Sequence, residues 1–432
     1  MSLISPNKLI ITVGIYVLMS CNQEFDVSEI GSKDYFCIFG GGAIRGLAYL
    51  GALRAMQEMN IAIKAFAGSS VGSVFAVFAA MNFSNEEFLK VFDEVNFELF
   101  RDVRFDIAKK FAISKGEHFL EWLRDNIEKK QYGESYLKGK NQPVTFKDID
   151  TDCFVITANI NGCEPYIFSK YTTPDFEVAK AIKISTSLPG LFEPYEFDNN
   201  MLVDGDMMKS WPMWKISDLL CPDDCRIIEF RLEGAKYWSE TKNSVEYLNA
   251  VFATLSNFAT DHIMQTYQPK DKFDYVKINT EHVLPVQFTL PQKDRENLIN
   301  LGYDTTMDYF KKTLLMKKKE LLPRYTMLLD SSIKIKNAIR SNKINDAKSY
   351  ICEMFVHLCE TKRYIDISIY DKAINFKDIF FENYKTSLLF KTPELKEKRL
   401  VEFHIDKLND EVLERCMELQ SYIDEIENKN QA

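Results

Sequence analysis

The sequence predicts an α/β protein with a mainly parallel central sheet, helices on both faces of that sheet in a three-layer α/β/α arrangement, and a C-terminal helical extension. Two observations lead to this fold class. Short apolar runs typical of buried strands alternate along the chain with longer segments in which apolar residues recur every three or four positions. After Phe310 the texture changes to a lysine-rich and mostly helical one.

The predicted strands and helices follow one another as a parallel sheet with crossover helices requires. Asn161-Gly162 is a strong hairpin signal between two of the apolar runs. In such a sheet, functional side chains collect at the carboxyl ends of the strands. Strands are predicted at 36–39, 63–67, 153–160, 164–169, 201–203, 226–232 and 273–278, and helices at 47–59, 71–81, 85–92, 117–127, 175–187, 244–264, 338–358 and 401–426.

The composition is that of a globular protein. Of the 432 residues, 46% are hydrophobic and 27% are charged, which is enough for one large core and a smaller second unit. The formal net charge of -9 argues against a nucleic acid as the main partner, because a polyanion is bound by clustered positive charge.

One serine stands where an apolar strand turns into a helix. The stretch Gly68-Ser69-Ser70-Val71-Gly72 follows the strand at 63–67 and precedes an apolar helix. Small residues on both sides of Ser70 permit a sharp turn that exposes its hydroxyl, and the helix N-terminus points its N–H groups toward developing negative charge. Ser70 is therefore a candidate nucleophile. A glycine turn without chemistry stays open as the alternative.

Three consecutive glycines, Gly40 to Gly42, follow the first strand, and Arg45 lies just beyond them. Backbone N–H groups that no side chain covers can approach an oxyanion closely. A dinucleotide-binding loop is the competing interpretation, but it requires an acidic residue at the end of the second strand. That strand ends in Ala67-Gly68-Ser69, so the acidic residue that a dinucleotide-binding site requires is missing.

The strand at 201–203 delivers a carboxylate, Asp204, immediately before Gly205. A carboxylate in this position can accept a serine proton directly. An ordinary Asp-Gly turn is the alternative for this pair taken alone.

Together, the glycine loop, the Gly-x-Ser-x-Gly stretch and the Asp-Gly pair resemble the patatin-like phospholipase family in order and spacing. The resemblance covers residues 34–310 and includes the stretches 116–123, 145–149 and 181–194. It implies the patatin-like fold and a Ser-Asp dyad without histidine, with Ser70 as the nucleophile and Asp204 as its base. No calcium or zinc site is visible in the sequence, so neither a metal ion nor a cofactor is expected.

The same resemblance implies roles for the glycines. The backbone amides of Gly41 and Gly42, with Arg45 close by, would form the oxyanion hole, and Gly68 and Gly72 would frame the nucleophile elbow. The chain departs from the family pattern after Asp204-Gly205. The family usually has a second glycine and then an asparagine shortly before a proline, whereas this chain has Asp206 and continues to Pro212 without an asparagine. A second carboxylate here is expected to raise the proton affinity of Asp204 or to change the turn.

Residues 1–33 lie outside the resemblance. Lys8 precedes an apolar run at 9–19, which has the length of a secretory h-region and is short for a membrane span. Leu18-Met19-Ser20-Cys21 is similar to the cleavage box of bacterial lipoproteins, whose cysteine carries the lipid. Two interpretations stay open: a leader that attaches the protein to a membrane through Cys21, or a packed extra element in a cytoplasmic protein peripheral on membranes.

Two further segments have open roles. The connection rich in aromatics, with Phe97, Phe100, Phe105 and Phe111, either packs on the core or forms a lipid-facing cap over the site. The lysine-rich region 311–432 presents either a solvated helix face or a surface for anionic lipid. Its helices suit packing on each other or on a protein partner.

The sequence thus predicts three parts: an N-terminal extension at 1–33, a phospholipase-like domain at 34–310 and a helical region at 311–432. By the resemblance, the expected activity is hydrolysis of acyl esters in phospholipid or lysophospholipid, of the phospholipase A or lysophospholipase type, through an acyl-enzyme and at a membrane surface. A low-turnover lipid- or partner-binding protein on the same fold, or a transacylase, stays open as the alternative.

Overall fold

The computed structural model describes residues 34–93, 112–208, 225–233, 254, 273–280, 283, 290–362, 365–386 and 393–431. The chain separates into two compact units, with the boundary between Phe310 and Lys311. The predictions for the leader with Cys21, for the aromatic connection at 97–111 and for nearly all of the helix at 244–264 fall outside the described residues.

The first unit is organised around a mixed sheet. Its strands are β1 (Asp34–Phe39), β2 (Ala62–Ser69), β4 (Asp152–Asn159), β5 (Glu164–Phe168), β7 (Tyr195–Phe197), β8 (Asn200–Val203), β9 (Arg226–Glu233) and β10 (Phe273–Asn279), while β3 (Ala112–Ser114) and β6 (Gly190–Phe192) form a separate parallel pair.

The strand order in the main sheet is β10-β9-β1-β2-β4-β8-β7, with β5 paired to β4. The five strands from β10 to β4 are all parallel, and the β4–β5 hairpin is antiparallel across the turn at Asn161-Gly162. The predicted α/β class with a mainly parallel central sheet is confirmed, as is the helical C-terminal region.

Strand β8 runs against the parallel set, although its carboxyl end was expected to align with the others. It is antiparallel to β4 and pairs only with the last two residues of that strand, Ala158 and Asn159. Strand β2 ends opposite Ile156, so β4 extends past it. The chain therefore reaches the end of β2 from the opposite direction as it leaves β8.

The helices of the first unit bury apolar faces around this sheet. They are α1 (Ala48–Glu58), α2 (Gly72–Ala80), α3 (Asn85–Asp93), α4 (Glu117–Tyr132) and α5 (Val178–Ser185). Helix α2 is apolar on all sides, and every residue except Ala79 is buried, as expected for a helix inside a core. The helix predicted from residue 47 is preceded by a 3-10 turn, Ala43–Leu47, which carries Arg45.

The second unit has a core of its own, built by α6 (Gln292–Arg340) beyond residue 310, α7 (Ile344–Thr361), α8 (Ile367–Asn383) and α9 (Lys398–Gln431). A small hairpin, β11 (Tyr384–Thr386) with β12 (Pro393–Leu395), accompanies them. Two of the clustered lysines on α6 make contacts within the second unit. Lys318 is buried with its ammonium over the Tyr422 ring, and Lys319 pairs with Glu427. Across the described residues, no helix combines the length and apolar character needed to span a bilayer.

Candidate active site

Ser70 lies at the strained turn that the Gly-x-Ser-x-Gly stretch predicts. Strand β2 ends at Ser69, helix α2 begins at Gly72, and Ser70 has a φ of 67°. A non-glycine residue in this left-handed region is uncommon and costs free energy, so neighbouring contacts must hold it. The Ser70 N–H donates to Ser185 Oγ at 3.0 Å, and Ser73 Oγ donates to the Ser70 carbonyl at 2.7 Å.

The two glycines of this stretch allow backbone segments to touch. A Cβ atom at Gly68 would lie 2.1 Å from the Gly72 carbonyl oxygen, and one at Gly72 would lie 2.1 Å from the Phe39 carbonyl oxygen. Separations this short are sterically forbidden, and rigid backbone cannot withdraw as a flexible side chain can. Glycine at both positions is therefore required to bring β1, the turn and α2 together.

Asp204 meets Ser70 directly. Ser70 Oγ donates to Asp204 Oδ2 at 2.9 Å, and the carboxylate is buried, with 3% exposure. The other oxygen, Oδ1, accepts a hydrogen bond from the Asp206 N–H at 2.8 Å. The Asp204 N–H donates to the Ser187 carbonyl at 2.9 Å. Contacts on both sides of the carboxylate thus fix its orientation toward the serine.

The glycine loop is anchored to the strands beneath it. The Gly40 N–H donates to the Phe230 carbonyl at 3.1 Å, and the Tyr49 hydroxyl donates to the Gly40 carbonyl at 2.8 Å. Arg45 Nε donates to the Gly42 carbonyl at 3.0 Å. The loop is therefore held in position by its carbonyl groups and by the Gly40 amide.

Arg45 is buried beside this loop, with 7% exposure. Its Nη1 atom has no hydrogen-bond partner among the residues that the structure describes. Burial lowers the pKa of the guanidinium, and the nearby Tyr49 and Asp206 oppose that shift. A buried cation with an unused donor has an environment suited to an anion.

Asp206 occupies the amide that the sequence assigned to the oxyanion hole. Asp206 Oδ1 accepts a hydrogen bond from the Gly41 N–H at 2.7 Å and another from Ser69 Oγ at 2.8 Å. Two serine-aspartate pairs thus lie next to each other, Ser70 with Asp204 and Ser69 with Asp206. Gly205–Met208 forms a 3-10 turn that presents the second carboxylate to the loop.

A buried ion pair lies below the same loop. Arg231 Nε donates to Glu229 Oε1 on strand β9, and a Cβ atom at Gly40 would lie 3.3 Å from the Arg231 side chain. Burial acts to lower the pKa of Arg231, but Glu229, Tyr275 and Asp206 together outweigh it and raise the pKa. Two guanidinium groups, of Arg45 and Arg231, therefore act electrostatically on Asp206.

The structure brings together the residues that the sequence singled out, namely Gly41, Gly42, Arg45, Gly68, Ser70, Gly72 and Asp204. Sequence reasoning missed the contacts of Ser185, the last residue of α5, and of Ser187, two residues beyond it. The only signal for them was their place in the 181–194 stretch, to which no role was assigned. In the described part of the chain, no three His, Cys, Asp or Glu side chains are grouped as metal ligands.

Comparisons with known proteins show which chains this sequence is similar to. Residues 37–212 match the family described as patatin-like phospholipase. The uncharacterized protein YqhO of Bacillus subtilis (strain 168) is 26% identical over 293 residues, which cover 63% of this chain and 97% of that protein. The uncharacterized protein R571 of Acanthamoeba polyphaga mimivirus is 28% identical over 276 residues, 61% of this chain and 89% of that protein.

A third relative carries a functional name. The probable lipid hydrolase 463L of Invertebrate iridescent virus 6 is 26% identical over 180 residues, which cover 41% of this chain and 61% of that protein. The family match contains the glycine loop, the Ser70 turn and Asp204. Residues 37–212 therefore form a patatin-like phospholipase domain, and the chain is a lipid hydrolase.

Proposed function

We propose that the chain is a serine acyl hydrolase that cleaves lipid acyl esters, of the phospholipase A or lysophospholipase type, through a Ser70-Asp204 dyad and an acyl-enzyme. The observation that carries the proposal is the 2.9 Å hydrogen bond from Ser70 Oγ to Asp204 Oδ2. A carboxylate in direct contact with a hydroxyl can accept its proton as the oxygen attacks. The strained backbone at Ser70 supports the same role, because strain of this kind clusters at active sites.

The proposed reaction has two halves. Ser70 Oγ attacks the ester carbonyl carbon while Asp204 accepts the hydroxyl proton. The tetrahedral intermediate then collapses, the ester C–O bond breaks, and Asp204 returns the proton to the departing alcohol. Water next attacks the acyl-serine with Asp204 again as the base, which releases the fatty acid and restores the Ser70 hydroxyl.

Negative charge on the carbonyl oxygen requires donors at the glycine loop. We assign this role to the amides of Gly41 and Gly42, with the buried positive charge of Arg45 behind them. Removal of one donor from such a hole typically costs about 3 to 4 kcal/mol of transition-state stabilisation.

The proposed substrate is a phospholipid or lysophospholipid at a membrane surface. The family match and the name of the viral relative support a lipid ester as the substrate class.

The direct test is hydrolysis of phosphatidylcholine and lysophosphatidylcholine vesicles, with release of fatty acid as the measured quantity. The wild-type chain is expected to release fatty acid, whereas Ser70→Ala is expected to release none above background. Ser331→Ala, at a partly exposed serine in the helical unit, is the matched control. Equal hydrolysis by Ser70→Ala and the wild type, with unchanged thermal melting, would refute the proposal.

One observation favours the alternative of a low-turnover binding protein. The Gly41 amide is bonded to Asp206, so it must change partner before it can stabilise an oxyanion. Vesicle binding without fatty-acid release by the wild type would favour this alternative. Transfer of the acyl group to added lysolipid or alcohol in preference to water would instead indicate a transacylase.

A further inference from the structure

Asp206 is bound to the Gly41 amide, which the proposed reaction needs for its oxyanion. Its Oδ1 atom lies 2.7 Å from the Gly41 nitrogen, the distance expected for a charge-assisted hydrogen bond. The approach is close enough that a Cβ atom at Gly41 would lie 2.4 Å from Asp206 Cγ. A carboxylate oxygen on this amide carries negative charge, as an oxyanion does, and uses the donor assigned to the oxyanion hole.

The surroundings of Asp206 suit a bound anion. Ser69 Oγ donates a second hydrogen bond to the same oxygen at 2.8 Å, and Arg45 and Arg231 both interact with the carboxylate electrostatically. The buried Arg45 Nη1 is a further donor that has no partner within the described residues. Donors and charges that stabilise a carboxylate here would also stabilise an oxyanion formed from a substrate.

Asp206 is less enclosed than Asp204. Asp204 is buried, whereas Asp206 is partly exposed and lies in the short turn Gly205–Met208. Its link to Asp204 runs through its backbone N–H, so its side chain can rotate without breaking that hydrogen bond. The carboxylate can therefore leave Gly41 while the Ser70-Asp204 pair stays intact.

We propose that Asp206 is an internal occupant of the oxyanion position, which closes the resting site until the carbonyl oxygen of a lipid ester displaces it. This inference rests on the proposed function, because it assigns Gly41 to oxyanion stabilisation. The carboxylate and the oxyanion cannot share one N–H donor, and two like charges a few ångströms apart repel. Turnover thus requires Asp206 to move before charge develops on the substrate.

Three variants test whether Asp206 blocks the oxyanion position or instead stabilises the active site. Asp206→Gly removes the occupant, Asp206→Asn keeps its shape without its charge, and Ser69→Ala removes one of the hydrogen bonds that hold it. The probe is a fluorophosphonate, and the measured quantity is the second-order rate constant of its reaction with Ser70. A charge-assisted hydrogen bond corresponds to about 10- to 100-fold in rate, so this is the increase expected for Asp206→Gly. Asp206→Asn and Ser69→Ala are expected to give smaller increases.

A second measurement reports the contact without any chemistry at Ser70. With ¹⁵N-glycine labelling, the Gly41 amide proton is expected to resonate downfield in the wild-type chain and to move upfield in Asp206→Gly. An unchanged Gly41 resonance would overturn the inference. So would slower labelling in both Asp206 variants at wild-type thermal stability, because Asp206 would then support the site rather than close it.

The two proposals fail in different ways. In one outcome, Ser70 is unreactive in every variant while the Gly41 resonance shifts as expected. Asp206 then occupies the amide, but the hydrolase proposal is wrong, and so is the proposal that Asp206 closes a catalytic site. Should Ser70 react in the wild type at the same rate as in Asp206→Gly, the hydrolase proposal stands and only the closure is overturned.

Discussion

Ser185→Ala should both destabilise the first unit and slow Ser70. Ser185 is fully buried; its Oγ accepts the Ser70 N–H at 3.0 Å and donates to the Ile156 carbonyl at 2.6 Å. Alanine leaves the Ser70 N–H at a strained turn without this acceptor. An unsatisfied buried donor costs about 1 to 3 kcal/mol, which is the expected fall in the free energy of unfolding.

The effect on chemistry follows from the same contact. The hydrogen bond that the Ser70 N–H donates to Ser185 helps to hold Ser70 in its left-handed conformation, so its loss lets the hydroxyl move away from Asp204. A displacement on the order of 1 Å in an active site can cost about 100-fold, and a loss of roughly tenfold or more in fluorophosphonate labelling rate is expected.

The matched control is two residues away. Ser187→Ala removes a hydroxyl that, among the described residues, donates to the Lys183 carbonyl one turn back, and its backbone carbonyl still accepts the Asp204 N–H. We expect a change of less than about 1 kcal/mol and normal labelling. The assay is urea unfolding followed by tryptophan fluorescence, which reports the first unit because all four tryptophans lie before residue 310. Equal stability and equal labelling of the two variants would refute the role given to Ser185.

Three further predictions concern charge. Asp204→Asn keeps an oxygen near Ser70 but cannot accept its proton, so ester hydrolysis should fall by about 100- to 10,000-fold with unchanged thermal melting. Full activity of this variant would refute the role of Asp204 as the base. Arg45→Met replaces a buried cation by an apolar side chain of similar length, so the fold should survive while kcat falls about 10- to 100-fold; an unchanged kcat would show that this charge does not assist the reaction. Burial raises the pKa of Glu128 on α4, and the charge of Glu177 adds to this effect. Ionised Glu128 therefore destabilises the fold as the pH rises above its unfolded-state pKa of about 4.3. Glu128→Gln should therefore raise the melting temperature at pH 8 more than at pH 4, unlike the exposed Glu121→Gln; equal shifts at both values would contradict this.

The sequence was informative wherever local chemistry decides the structure. Strands β1 and β2 and the turn at Ser70 could be predicted because apolar runs and glycines act over a few residues. The glycines at 68 and 72 are required by backbone contacts that the Gly-x-Ser-x-Gly pattern already encodes.

Long-range register could not be predicted in this way. The contact between Gly41 and Asp206 joins positions 165 residues apart, and that between Ser70 and Ser185 joins positions 115 residues apart. The antiparallel direction of β8 is likewise invisible in its apolar pattern, because periodicity does not tell which way a strand runs. The departure at Asp206 was visible in the sequence, but its partner was not.

The most direct test of the central claim is the site of covalent modification by a fluorophosphonate, identified by peptide mass spectrometry. Two adjacent serines each contact a carboxylate; Ser69 is buried, whereas Ser70 lies at the partly exposed turn and contacts Asp204. The adduct should lie on Ser70, persist in Ser69→Ala and vanish in Ser70→Ala. An adduct on Ser69, or no adduct on the folded wild-type chain, would contradict the claim that Ser70 and Asp204 form the catalytic pair.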